Sequence, residues 1–152
     1  MYTARCTVRQ FEEHDIDDFM LYRNDMDWMR HQGFKGLTRE KYIDALLGDH
    51  SFQNGFQLAI ICNKSNTLIG DVYLRQEDDV CWIGYSICRS EARQGYAYEV
   101  VSVVIASLRE KGIKYIKASV ESDNSASIAL LKKMNFSYVG VDNDELIFVL
   151  QF

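Results

Sequence analysis

Proline is absent from this chain of 152 residues, so the ends of strands and helices have to be marked by Gly, Asn, Asp and Ser. No apolar run approaches the length of a membrane span, and the N-terminal MYTARCTVRQ lacks the apolar core of a secretory leader. Positive charge is in deficit: 17 Lys and Arg stand against 22 Asp and Glu, for a formal net charge of −5. That balance argues against a protein that grips a nucleic-acid backbone, which needs a basic face. The four cysteines, Cys6, Cys62, Cys81 and Cys88, have no C-x-x-C spacing, and three of them sit in apolar strand-like runs. Reduced, buried thiols are therefore expected, and no metal site. His14, His31 and His50 are scattered through polar segments with no pairing that suggests a ligand set. These absences point to a soluble, cytoplasmic protein with no membrane or nucleic-acid partner.

What is present is a folded composition, 47% hydrophobic and 26% charged, at a length that suits one domain over residues 1–152. Tyr2 to Phe11 alternates as a first strand; Asp15 to Arg30 and Thr38 to Leu47 read as helices, with Thr38 as N-cap and HQGFKG between them. FQLAIIC (56–62) and TLIGDVYL (67–74) flank a turn and form a hairpin, followed by the β-branched strand VCWIGYSIC (80–88). After Gly95, the residues Ala97, Val100, Val101, Val104, Ile105 and Leu108 make one apolar stripe, which ends at Lys111-Gly112. Ile113 to Val120 is a strand, Asn124 to Met134 a helix, and Phe136 to Val141 and Glu145 to Gln151 are closing strands around an Asp-Asn-Asp turn. The order implies an α/β protein (an α+β mixed sheet): a mostly antiparallel central sheet, one parallel strand–helix–strand crossover, and helices on both faces. The closing strands could pair across a homodimer.

The stretch RSEARQGYAYEVV, Arg89 to Val101, carries the chemistry. The first amides of a helix have no intrahelical acceptor, and the helix dipole adds partial positive charge there. A glycine just before them lets the backbone approach a ligand closely, so successive amides can converge on a phosphate, and Arg93 can add its charge. A tight turn without a ligand would use the same glycine. The GK[ST] ending of a Walker loop is missing, and so is GxGxxG.

IGYSICRSEARQGYAYEVV, followed by a strand and then VESDNSASIALLKKMNF, resembles the GCN5-related N-acetyltransferase family, in particular its ribosomal-protein and peptide N-acetyltransferase-like branch. The family's pyrophosphate loop, Gln/Arg-x-x-Gly-x-Gly/Ala, is matched by Ala92-Arg93-Gln94-Gly95-Tyr96-Ala97, with Ala92 departing from the pattern at the first position. The resemblance implies that acetyl-CoA is the cosubstrate, with Arg93, Gln94, Gly95, Tyr96 and Ala97 at its pyrophosphate. It implies further that Tyr85, Ile87 and Cys88 meet the pantetheine arm through their backbone, where two neighbouring strands splay apart. Asn124 matches the asparagine that opens the family's second helix and helps hold CoA, while its local role is an N-cap. Seven residues on, where many members have a tyrosine that protonates the departing thiolate, this chain has Leu131. Ser127 is similar to the serine that the ribosomal-protein branch places near the sulfur, and is the candidate catalytic residue. A helix serine bonded back to its own backbone is the other reading.

The function implied is transfer of an acetyl group from acetyl-CoA to a primary amine of a small molecule or a peptide or protein N-terminus. An inactive CoA- or acyl-CoA-binding module and an ATP-binding α/β protein are the alternatives. Asp71, Tyr73 and Glu121 are candidates for the base that frees the amine, none of them singled out by the residues around it. The acidic, aromatic stretch Glu12 to Trp28, with Phe19, Tyr22 and Trp28 interleaved, could form a rim for a cationic acceptor or simply a solvated helix face.

Overall fold

The computed structural model describes residues 1–48 and 51–152, so His50 lies outside the described residues. One seven-stranded sheet organises it. The strands are β1 (Cys6–Gln10), β2 (Phe56–Cys62), β3 (Thr67–Glu77), β4 (Val80–Ile87), β5 (Tyr115–Glu121), β6 (Ser137–Asp142) and β7 (Glu145–Gln151), in the order β1-β2-β3-β4-β5-β7-β6. Every neighbouring pair is antiparallel except β4 and β5, as the order of elements in the sequence implies. The helices are α1 (Ile16–Arg23), α2 (Arg39–Leu47), α3 (Tyr96–Glu110) and α4 (Ser125–Lys133). Among the described residues no helix is long and apolar enough to cross a membrane.

Two cores form, one on each face. Val100, Val101, Val104 and Leu108 of α3 and Leu131 of α4 pack against Ile60, Val72, Leu74, Ile116 and Phe148. On the other face Ile16, Phe19 and Tyr22 of α1 and Tyr42 and Leu46 of α2 pack against Ala59, Ile61 and Leu68. Adjacent β2 residues serve opposite cores because strand side chains alternate between faces. The stripe read from α3 is thus its buried face, and its ends are as the sequence marks them: Gly95 caps the start at φ +81, and Gly112 follows the end at φ +88.

Two elements are shorter than their patterns suggest. The first strand starts at Cys6 rather than Tyr2, because residues 1–5 turn back on it: the Thr3 amide donates to the Cys6 carbonyl at 2.9 Å and the terminal ammonium to the Val8 carbonyl at 3.0 Å. The first helix ends at Arg23, not Arg30. Here side chains compete with the helix for backbone groups. The Asn24 carboxamide accepts from the Gly36 amide at 2.9 Å and donates to the Leu37 carbonyl at 3.2 Å, while Asp25 accepts from the Trp28 amide at 3.2 Å. Residues 24–38 therefore lie as an irregular strap. At its root a buried pair fixes α1 to the sheet: Arg23 Nη2 donates to Asp71 Oδ1 at 2.6 Å and to Ser86 Oγ at 3.0 Å, with Tyr22 and Gln57 also on Asp71.

Candidate active site

β4 and β5 pair only from Val80–Tyr115 to Trp82–Lys117, although β4 runs on to Ile87 and β5 to Glu121. Beyond Trp82 the two strands diverge. The Cys88 amide donates to Ile69 on the β3 side, so by the alternation of the antiparallel ladder the backbone groups of Tyr85 and Ile87 point into the gap. Their carbonyls accept from the strap: Gln32 Nε2 reaches Tyr85 at 3.2 Å and Trp28 Nε1 reaches Ile87 at 2.8 Å. The splay expected at Tyr85 to Cys88 is present, and it needs neither a proline nor a bulge in β4.

A groove of about 710 Å³ runs from this gap to the start of α3. Tyr85, Ile87, Asn124 and Ser127 line it at one end, and Arg93, Gly95, Tyr96 and Ala97 at the other. Two expected residues turn their side chains away from it. Cys88 is turned toward Ser90, Sγ to Oγ 3.4 Å, and the Gln94 side chain is turned to Glu91 at 3.1 Å.

At the far end the turn holds two left-handed residues, Arg93 at φ +61 and Gly95 at φ +81. Such alternation makes successive amides face one concavity. Among the described residues the amides of 93–98 find no acceptor; the first to do so is Glu99, which donates to the Gly95 carbonyl at 3.0 Å. The Ala92 amide is engaged with the Arg89 carbonyl at 3.3 Å, so the free donors begin one residue after the departure from the family pattern. Arg93 and Lys133, both in the groove wall, form no ion pair among the described residues; Glu91, in the same wall, accepts from the Gln94 side chain.

The turn is held from outside by Arg5, which the sequence gives no reason to single out. Its Nη2 donates to the Gln94 carbonyl at 2.9 Å, its Nε to Glu99 at 2.7 Å, and its guanidinium lies 4.1 Å over the Tyr96 ring. Burial pushes the Glu99 carboxyl up, but the Thr3 hydroxyl and Arg5 together outweigh it and hold the group below its ordinary value. It therefore stays ionised as the anchor of this contact.

At the near end Asn124 caps α4, its Oδ1 accepting from the Ser127 amide at 3.2 Å. Ser127 Oγ lies 3.0 Å from the Tyr85 hydroxyl. Burial raises the Tyr85 phenol above its ordinary value, only partly offset by the Ser127 hydroxyl, so the phenol keeps its proton. Leu131 is buried in the core. A tyrosine hydroxyl thus enters the site from β4, not from α4.

On the strap side, the structure corrects two readings. Phe19 and Tyr22 are core residues, so of the acidic, aromatic stretch Asp27 and Trp28 reach the groove. The histidines do not all lack partners: His31 Nδ1 lies 3.4 Å from Glu121 Oε2 and 3.6 Å from Asp123 Oδ1. Of the candidate bases, Asp71 is closed off by its ion pair with Arg23, and neither it nor Tyr73 nor Glu121 lines the groove, although Glu121 faces His31, which does.

A family model described as "Acetyltransferase (GNAT) domain" matches residues 5–137. The chain belongs to the GNAT acetyltransferase family. Among its relatives is the Bacillus licheniformis protein named uncharacterized N-acetyltransferase p20, 27% identical over 95% of this chain and 85% of that one. Another is the uncharacterized N-acetyltransferase YoaA of Bacillus subtilis strain 168, 30% identical over 91% of this chain and 83% of that one. In fold the GNAT domain is similar to RimL, a ribosomal α-N-protein acetyltransferase solved in complex with coenzyme A, with a TM-score of 0.82 at 15% identity over 98% of this chain and 95% of that one. The GNAT match spans β1 through the opening residue of β6, and hence every wall of the groove.

Proposed function

We infer that this GNAT domain, read as one unit over residues 1–152, transfers an acetyl group from acetyl-CoA directly to a primary amine of a small molecule or of a peptide or protein N-terminus. The observation that carries this reading is the joining, in one groove, of a turn of free amides, an open β4 edge and a Tyr85–Ser127 hydroxyl pair. Acetyl-CoA, when bound, supplies an activated acyl group as a thioester.

The residues divide the work by position. The amides after Ala92, with Arg93 and Gly95, suit a pyrophosphate at the α3 N-terminus. The Tyr85 and Ile87 amides, whose carbonyls already accept from the strap, suit an extended arm laid along β4, and one of them can donate to the thioester oxygen as charge develops there. Ser127 can donate to the departing sulfur while Tyr85 donates to Ser127. A serine hydroxyl alone is a weak acid, and a phenol behind it makes the donor stronger. The four cysteines, none of them in a disulfide, fit a reducing cytoplasmic setting.

Calorimetric titration with acetyl-CoA, CoA and ATP, followed by a thiol-release assay on a panel of amines, tests this. Saturable acetyl-CoA binding with amine-dependent thiol release supports it. Binding without release in wild type, unaltered by Ser127→Ala, would favour the inactive CoA-binding module.

A further inference from the structure

His31 belongs to the strap between α1 and α2 and lines the groove with Tyr85, Asn124 and Ser127. It is largely buried, 16% exposed, whereas Glu121 and Asp123 are 45% and 77% exposed. Its Nε2 accepts from Arg30 Nε at 3.3 Å, and its Nδ1 faces Glu121. Those partners select the tautomer: the proton sits on Nδ1, toward the carboxylate, and the lone pair is on Nε2. The neighbouring Gln32 holds the Tyr85 carbonyl, which ties this part of the strap to the diverging end of β4. It is the one imidazole in the groove among the described residues.

We propose that His31 is the proton acceptor for the amine in this site, with Glu121 as its positioning partner. This rests on the acetyl-transfer reading above. An acceptor arriving as R–NH3⁺ gives one proton to Nε2. The freed lone pair forms the C–N bond to the acyl carbon as the C–S bond breaks. The second N–H proton passes to the sulfur by way of Ser127 and Tyr85, and the imidazolium releases its proton to water past the exposed carboxylates. The charged groups that face the ring are Arg30, whose Nε donates to Nε2, and, at Nδ1, Glu121 from the end of β5 and Asp123 from the turn before α4. Arg30 is 67% exposed and its other partner, Asp27 at 3.9 Å, is exposed as well, so moving off Nε2 breaks no buried contact.

The test uses full-length wild type, His31→Gln and Glu121→Gln, with acetyl-CoA and the best acceptor from a panel of a free-N-terminus peptide amide, a lysine-rich peptide and an alkyl diamine. His31→Gln should bind acetyl-CoA within about 2-fold of wild type and lose on the order of 100-fold in kcat/KM near neutral pH, recovering as rising pH deprotonates the amine itself. Glu121→Gln, altered at a half-exposed position, should move the acid limb of the rate profile to lower pH. The His31 imidazole resonance should move in the same direction, a readout independent of turnover. An unchanged acid limb in His31→Gln, with kcat/KM within about 3-fold of wild type, overturns the proposal. Loss of turnover on dialysis against EDTA, restored by zinc, also overturns it, by making the three side chains a metal site. If wild-type protein and both variants alike fail to bind acetyl-CoA, the acetyltransferase reading itself is wrong. That result differs from intact binding with an unmoved pH profile, which removes only His31.

Discussion

Gly95 and Gly112 cap opposite ends of the same helix, at φ +81 and +88, and this makes a controlled experiment available. Replacing either by alanine forces an L-residue into the left-handed region at a cost of roughly 1–2 kcal/mol. A Cβ at Gly112 has no heavy atom within 4 Å, and one at Gly95 meets only Arg5 Nη2 at 3.6 Å, an ordinary contact. Steric terms are therefore small and similar, and both variants should lower the melting temperature by about 2–8 °C for a chain of this size. Acetyl-CoA affinity should separate them. A methyl group at Gly95, or the backbone shift that relieves its strain, moves the amides of 95–97 off a bound pyrophosphate. Losing one charge-assisted hydrogen bond, about 1.5–3 kcal/mol, corresponds to a weakening of roughly 10- to 150-fold. Gly112→Ala should bind within about 2-fold of wild type, because its strain lies at the other end of the helix, away from the groove. Calorimetry on variants already shown to be folded by thermal melts measures both quantities. Equal affinity in Gly95→Ala and Gly112→Ala, with the expected loss of stability in each, would refute the assignment of the pyrophosphate to this turn.

Other outcomes follow from the same contacts. Ser127→Ala and Tyr85→Phe should each slow thiol release by about 10-fold or more while leaving acetyl-CoA affinity within about 2-fold, and the double variant should lose less than the product, because the two hydroxyls act in series. Asp71→Asn leaves a buried guanidinium whose Nε and Nη1 already lack hydrogen-bond partners among the described residues. It should cost about 3–5 kcal/mol of unfolding free energy in urea titrations, and a loss under about 1 kcal/mol would show the pair to be dispensable. Burial pushes the Asp15 carboxyl up, but the Arg9 guanidinium and the Glu12 amide outweigh it and hold it below its ordinary value. A carboxylate lowered in the fold stabilises it fully above the unfolded value and loses that contribution as pH falls through the folded one. The melting temperature should therefore drop below about pH 4, and Asp15→Asn should flatten that drop.

The parts of this molecule that were legible in the sequence are the parts written contiguously. The free-amide turn and the α3 stripe occupy one run from Arg93 to Leu108, and the Asn124 cap reaches Ser127 within a single helical turn. Local rules suffice there, because glycine before an apolar stripe and asparagine before a helix each have a short-range physical reason. The strap defeated the same rules. Asp15 to Arg30 has helical spacing, yet Asn24 and Asp25 spend their side chains on backbone groups of residues 28, 36 and 37, a competition that no periodicity reports. Arg5 is illegible for a different reason. Its partners Gln94 and Glu99 are 89 and 94 residues away, and an arginine near a first strand is ordinary.

The same contrast divides the groove. The turn assigned to the pyrophosphate is built from neighbours in the chain, and the wall that faces the acceptor is built by bringing remote segments together. His31 and Glu121 stand 90 residues apart and are joined only because β5 diverges from β4 at Trp82, leaving room for the strap to lie across the open edge. Trp28 and Gln32 lock the strap there through the Ile87 and Tyr85 carbonyls, so the divergence that opens the β4 edge also sets the position of the imidazole. A substitution that loosens the strap without touching His31 should then affect transfer more than cofactor binding. In Trp28→Phe a smaller aromatic ring replaces the indole and its hydrogen bond to the Ile87 carbonyl is lost. This variant should lower kcat/KM for the amine by about 3- to 10-fold, in keeping with a hydrogen bond of about 1 kcal/mol, with acetyl-CoA affinity within about 2-fold of wild type. The reverse pattern, weaker acetyl-CoA binding with an unaltered transfer rate, would mean that the strap serves the cofactor and that the acceptor enters from elsewhere.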